Sequence, residues 1–135
     1  MSYENAVKNI RAHFANKWGT TTPVAYDDDG KFKIPDGQTW VRLNIAHVDG
    51  YQASIGSPSS NRFRRDGLIT VQVFQPQGQY SIDARKKADL VVSHFLNEET
   101  SGIIYYDVQA REIGNDGAGW YQINVLIKFR YDVIA

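Results

Sequence analysis

Apolar residues at Tyr3, Val7, Ile10, Phe14 and Trp18 recur at helical spacing, behind Ser2 as an N-cap and ahead of Gly19 as a terminator. A short strand is expected around Val24–Tyr26, running into a turn at Asp27-Asp28-Asp29-Gly30, with a second turn at Pro35-Asp36-Gly37. From Trp40 the period changes to two: Val41, Leu43 and Ile45 alternate with Arg42 and Asn44. Tyr51–Ile55 reads as a further strand after an Asp49-Gly50 turn, and Gly56 to Asn61 as a loop that Arg62-Phe63-Arg64-Arg65 extends. Leu68–Phe74 alternates again, with Ile69, Val71 and Val73 on one face, and Pro76 and Gly78 close it. Ser81 caps a second helix with Asp83 in its first turn and an apolar stripe of Ala84, Ala88, Val91, Val92 and Phe95. Ile104, Tyr106, Val108 and Ala110 then alternate with Tyr105, Asp107, Gln109 and Arg111. After a loop at Gly114-Asn115-Asp116-Gly117, the longest alternation puts Tyr121, Ile123, Val125, Ile127, Phe129 and Tyr131 on one face.

Alternating strands of this kind build a sheet with one apolar and one wetter face, which antiparallel sheets allow. With two amphipathic helices to cover the apolar face, the order predicts an α+β fold. It is a two-layer sandwich of a mainly antiparallel sheet with two helices on one face, as one domain over residues 1–135. Parity gives the second face Trp40, Arg42, Asn44, Leu68, Thr70, Gln72, Phe74, Tyr105, Gln109, Trp120, Gln122 and Asn124. Trp, Tyr, Phe, Arg and amides together are the composition of a protein interface; the alternative is a loop or the first strand folded over this face.

Composition narrows the function classes. The chain has 135 residues, no cysteine, 15 basic and 15 acidic residues and a formal net charge of 0. A disulfide framework, a cysteine-ligated metal site and a thiol nucleophile are therefore excluded. Charge balance argues against a general nucleic-acid binder and removes the repulsion between copies. Met-Ser-Tyr-Glu-Asn has neither a basic start nor an apolar run, so no secretory signal is expected, and no membrane span or membrane partner either.

Catalytic patterns are missing. There is no Gly-x-Ser-x-Gly, and His13, His47 and His94 fall on different elements. His47 follows the inward register of its strand, open to a core placement or a satisfied strand-end role, while His94 is expected on the solvated side of its helix. The acidic run at Asp27 lacks EF-hand spacing, and Gly114 to Gly119 lacks the Lys-Ser/Thr of a phosphate cradle. The chain is expected to be no enzyme and to need no cofactor or metal. Arg62, Arg64 and Arg65 around Phe63 leave three readings: a nucleic-acid contact, a protein interface, or a solvated loop.

Trp40-Val41-Arg42, Ser54-Ile55-Gly56, Arg65 and Gly67 before Val71-Gln72-Val73-Phe74-Gln75-Pro76, then Ala84, Ala88-Asp89 and Phe95, carry a family pattern. It ends in Gly119-Trp120-Tyr121-Gln122-Ile123-Asn124-Val125 and Phe129-Arg130-Tyr131-Asp132. On these residues the chain resembles the tail terminator-like proteins of long-tailed phages and prophages, related in fold to the minor tail protein U group. The resemblance implies a ring, usually of six copies, on the head-proximal end of the tail tube, which stops tube polymerisation and forms the head–tail joining surface. Implied partners are further copies of the chain, the tail tube protein and the head–tail connector, with no specific nucleic acid. The implied location is the host bacterial cytoplasm during assembly and then the virion tail. Candidate interface residues are Trp40, Arg42, Phe74 and Trp120 on the wetter face, and Arg62, Phe63, Arg64 and Arg65 in the loop. The alternatives are another neck or head-completion component, or a small nucleic-acid-binding module using the Arg62–Arg65 loop.

Overall fold

The computed structural model describes residues 2–27 and 30–135; Asp28 and Asp29 of the expected acidic turn lie outside the described residues. The elements run α1 (Tyr3–Trp18), β1 (Val24–Tyr26), β2 (Trp40–Gln52), β3 (Arg62–Pro76), α2 (Ile82–Phe95), β4 (Glu99–Thr100), β5 (Ile103–Asn115) and β6 (Trp120–Ile134). The strands form one sheet in the order β1-β2-β3-β6-β5-β4, antiparallel at every pairing except β1 with β2.

In α1 the Ser2 hydroxyl accepts from the Asn5 N–H at 3.1 Å, and Gly19 ends the helix at φ 58°. Ala6, Ile10, Phe14 and Trp18, four residues apart, form its buried stripe, while Tyr3 is left exposed. Ser81 stands at the N-cap of α2 as expected but makes no side-chain capping bond, because its φ −69°, ψ 11° backbone is not the extended one that aims a hydroxyl into the first turn. Gln75, from the end of β3, does that work. Its Oε1 accepts from the Ala84 N–H at 2.7 Å, and its Nε2 donates to the Tyr80 carbonyl at 2.7 Å.

Both helices pack on one face of the sheet, as the alternation predicts. Phe14 stacks on Phe95 with ring centroids 6.3 Å apart, over Leu43, Ile69, Val71, Val125, Ile127 and Phe129. Each such aliphatic side chain contributes ~1.5–3 kcal/mol on burial. Gly67 leaves room for this layer: a Cβ there would fall 2.1 Å from Phe129 Cζ and 2.7 Å from the Ala46 carbonyl oxygen.

Three local expectations are corrected. Asp49-Gly50 is no turn and Tyr51–Ile55 no separate strand. A bulge between His47 and Asp49 lets β2 run on to Gln52 against β3. Arg62 to Arg65 do not extend a loop but open β3, paired with β6 from Arg62↔Ile134 onward. In β5 the inward residues are Ile103 and Tyr105, not Ile104 and Tyr106, which are 40% and 47% exposed. A bulge between Tyr105 and Asp107 inserts one residue against Lys128, so the phase reverses and Val108 faces Ile127 on the core side.

Candidate assembly surfaces

The outer face of the sheet, opposite the helices, has two unlike parts. At one corner Trp40 stacks on Phe74 at 4.4 Å and meets the edge of Trp120 at 6.0 Å. The sequence places these rings outward, and by strand parity they are. Yet Trp40 is only 2% exposed and Phe74 7%, because the segment between β1 and β2 folds over them and lays Phe32 against Trp40 at 5.3 Å. Trp40 and Phe74 therefore belong to a second small core with Ala25, and Trp120 is half-buried beside them. Arg42 remains exposed, its guanidinium 5.2 Å from the Trp40 ring centroid and 5.6 Å from that of Phe74. Thr39 ties the covering segment to α2 by donating to Asp83 Oδ2 at 2.6 Å, a bond that with Lys87 outweighs burial and holds the Asp83 carboxyl below its ordinary value. Phe32 and its role went unread because one aromatic in a turn-rich stretch has no periodicity to place it.

Beyond this corner no element covers the outer face among the described residues. Leu68, Thr70, Gln72, Gln122, Asn124 and Leu126 lie half-buried among same-face neighbours, with Gln109, Arg111 and Lys128 lining a shallow cleft beside Leu68 and Leu126. Gln122 donates to Asn124 Oδ1 at 2.7 Å along the strand. Tyr105, assigned to this face by parity, lies instead in the core against Phe95, where burial pushes its hydroxyl up to about 12.

At the opposite end the arginines separate. Arg64 pairs with Asp132 at 2.9 Å and Arg62 reaches the same carboxylate at 3.3 Å. The Arg64 hydrogen bond is the main reason the Asp132 carboxyl is held below its ordinary value and the Arg64 guanidinium above its own. Arg62, Arg64, Arg130 and Asp132 line an open cleft of about 540 Å³ with Ile104 and Ile134. Arg65 turns to the helix side, beside Tyr3 and Tyr131, and half-buried Phe63 alternates with Arg62 and Arg64 against Val133. The four residues thus do not form one basic loop patch, since neighbouring strand residues point to opposite faces and two of them share the Asp132 carboxylate. Asp132 was missed as their partner because nothing in sequence spacing reports a cross-strand neighbour.

His47 accepts or donates a 2.7 Å bond with the Tyr131 hydroxyl on the helix side, and His94 lies half-buried with its ring edge-on to Trp18 at 5.9 Å, not fully solvated as expected. No group of three or more His, Cys, Asp or Glu that could hold a metal ion occurs among the described residues, nor a helix long and apolar enough to cross a membrane.

Residues 5–129 match the family model described as phage tail terminator protein. The chain belongs to the phage tail terminator family. A tail terminator is a structural component of the phage tail. Among curated proteins none matches the sequence. One solved structure matches over 95% of this terminator-family chain and 94% of its own, with 20% identity and a TM-score of 0.60, a likeness of fold. Another, from the virion of a native gene transfer agent particle, covers 94% of this chain and 91% of its own with 17% identity and a TM-score of 0.47.

Proposed function

We propose that this protein closes the head-proximal end of a phage tail tube as a ring of its own copies, six in number, and presents the surface on which the head connector docks. In this role it is a structural component and not an enzyme. The observation that carries the reading, in a chain of this family, is the uncovered amide-rich face centred on Thr70, Gln72, Gln122 and Asn124. Polar, weakly charged faces suit contacts with other protein surfaces, and a net charge of 0 lets copies approach. Arg42, Trp120, Arg62 and Arg64 border that face and remain accessible in whole or part. Phe63 and Arg65 contribute from the helix side, and buried Trp40 and Phe74 only by supporting Arg42. The tube protein and the connector are the partners, and the protein passes from the host cytoplasm into the finished tail.

The test is addition of purified protein to growing tail tubes, followed by negative-stain imaging. A ring on one end and arrested growth are the expected result. Tubes of unchanged length with bare ends overturn the reading.

A further inference from the structure

The sheet has two long free margins. β1 borders β2 only at Val41–Leu43, and β4 borders β5 only at Ile103–Ile104. On their outer edges Asn44–Gln52 and Tyr105–Asn115 therefore have no strand neighbour among the described residues, although the Ile45 N–H is already taken by Asp27 Oδ2 at 3.2 Å. Long free margins are protected by lysine, proline or bulges, and here bulges at His47/Asp49, Tyr105/Asp107 and Glu112/Gly114 are the devices present. Neither margin carries lysine or proline. They expose Val48 at 66%, Tyr51 at 49%, Tyr106 at 47% and Ile113 at 46% instead.

The free stretches lie at opposite ends of the sheet. One cross-strand row runs Val24, Val41, Val73, Ile123, Glu112, so β1 stands level with the far end of β5. Another runs Asp49, Asp66, Arg130, Ile104, Glu99, so β4 stands level with the far end of β2. The short strands obstruct a level approach of two copies and leave open a staggered one. Because β2, β3, β6 and β5 alternate in direction, β5 of one copy meets β2 of the next antiparallel, with the helix faces on the same side.

Charge selects the register. In the free stretch of β5, Asp107 is paired with Lys128 and Glu112 with Arg85, while Arg111 makes no ion pair among the described residues. In the free stretch of β2 the single charged residue, Asp49, accepts from the Gly50 N–H and has no cationic partner among the described residues. We infer that the β5 margin of one copy pairs with the β2 margin of the next, Arg111 beside Asp49, so that one sheet continues from copy to copy around the ring. Arg111 stands in the row of Gln72 and Asp49 in that of Asp66, so the stagger is roughly 20 Å at ~3.4 Å per residue. A constant stagger tilts the strands against the axis, as closing any sheet on itself demands. The contact is heterologous, joining two different margins, so it does not stop at a dimer, and it closes into a ring when the rotation from copy to copy divides the circle.

This inference rests on the ring reading above, and the test separates the two. The chain has no cysteine. Asp49→Cys, Arg111→Cys and the double variant are therefore oxidised with and without tail tubes, then compared by denaturing gel and negative stain. The pairing predicts a ladder of crosslinked multiples for the double variant, while each single variant yields dimers at most. Asp49→Arg and Arg111→Asp alone cut ring yield on the order of tenfold, and the exchange Asp49→Arg with Arg111→Asp restores it. Melting curves of these exposed-site variants confirm that the fold persists. Rings without a ladder, at yields indifferent to the reversals, overturn the pairing and leave the ring reading standing. A ladder without rings or capped tubes does the reverse, and neither rings nor a ladder overturns both.

Discussion

The two faces of the sheet are cut from the same strands and end in different conditions. On β3, Ile69, Val71 and Val73 are fully buried under α1 and α2, while Leu68, Thr70 and Gln72 between them are half-buried among side chains of neighbouring strands. The inner face finds its partner within the chain. Among the described residues the outer face finds one only at the corner where Phe32 closes on Trp40 and Phe74. Period-two alternation thus assigns residues to faces but does not say which face is dry. That depends on what folds over it, and on most of the outer face no element does among the described residues.

The contrast is broken most severely from the inside. Phe129 is fully buried between His47, Tyr131 and the hollow left by Gly67. Phe129→Ala is expected to cost about 3–5 kcal/mol in denaturant unfolding, since the helix layer cannot collapse into the space. A loss near zero would mean that this face does not carry the fold. Gln75→Met comes next, at about 2 kcal/mol, because the Ala84 N–H and the Tyr80 carbonyl both lose their partner. Its distinguishing readout is earlier loss of amide-exchange protection at the start of α2 than elsewhere.

How far the sequence reaches follows from the same distinction. The six-residue apolar stripe of β6 and the Ser2 cap of α1 are local patterns, and both read correctly to the residue. The reversal in β5 was illegible because a single inserted residue at Tyr105/Asp107 changes parity without changing composition. Arg62-Phe63-Arg64-Arg65 looked like loop because charge there outweighs apolar content. What makes it strand is pairing with β6, where Asp132 offsets Arg62 and Arg64. Gln75 resembled any amide in a strand, and its capping role depends on a helix that begins several residues later. Of the candidate surface, the amide row was legible from parity, whereas the burial of Trp40 and Phe74 depended on a nonperiodic segment.

A milder probe is pH. Burial first and Arg65 second hold the His47 imidazole below its ordinary value, and burial first with Lys17 second does so for His94. The unfolded chain binds these protons near pH ~6.5 and the folded chain only at lower pH. Stability is therefore complete above about pH 6.5, falls as the pH drops toward the folded values, and levels off beneath them. Melting temperatures across this range should show the decline, and His47→Gln should shrink it to the part left by His94. A flat profile in the unaltered chain would contradict the burial of both rings.

The smallest effect on the fold is the one that separates the faces most sharply. Gln72 and Gln122 lie half-buried on the open face, with no element above them among the described residues. Gln72→Lys and Gln122→Lys should each leave unfolding free energy within about 0.5 kcal/mol, because a lysine there reaches water. Once a tube or a neighbouring copy covers the same position, the ammonium loses its hydration without a counter-charge, and assembly should suffer strongly. A solvated face predicts no change in either measurement, and a face covered within its own chain predicts a large stability loss. Unchanged melting with reduced binding to tubes is the outcome that fits a surface completed from outside, and measuring both quantities on the same preparations excludes the other two.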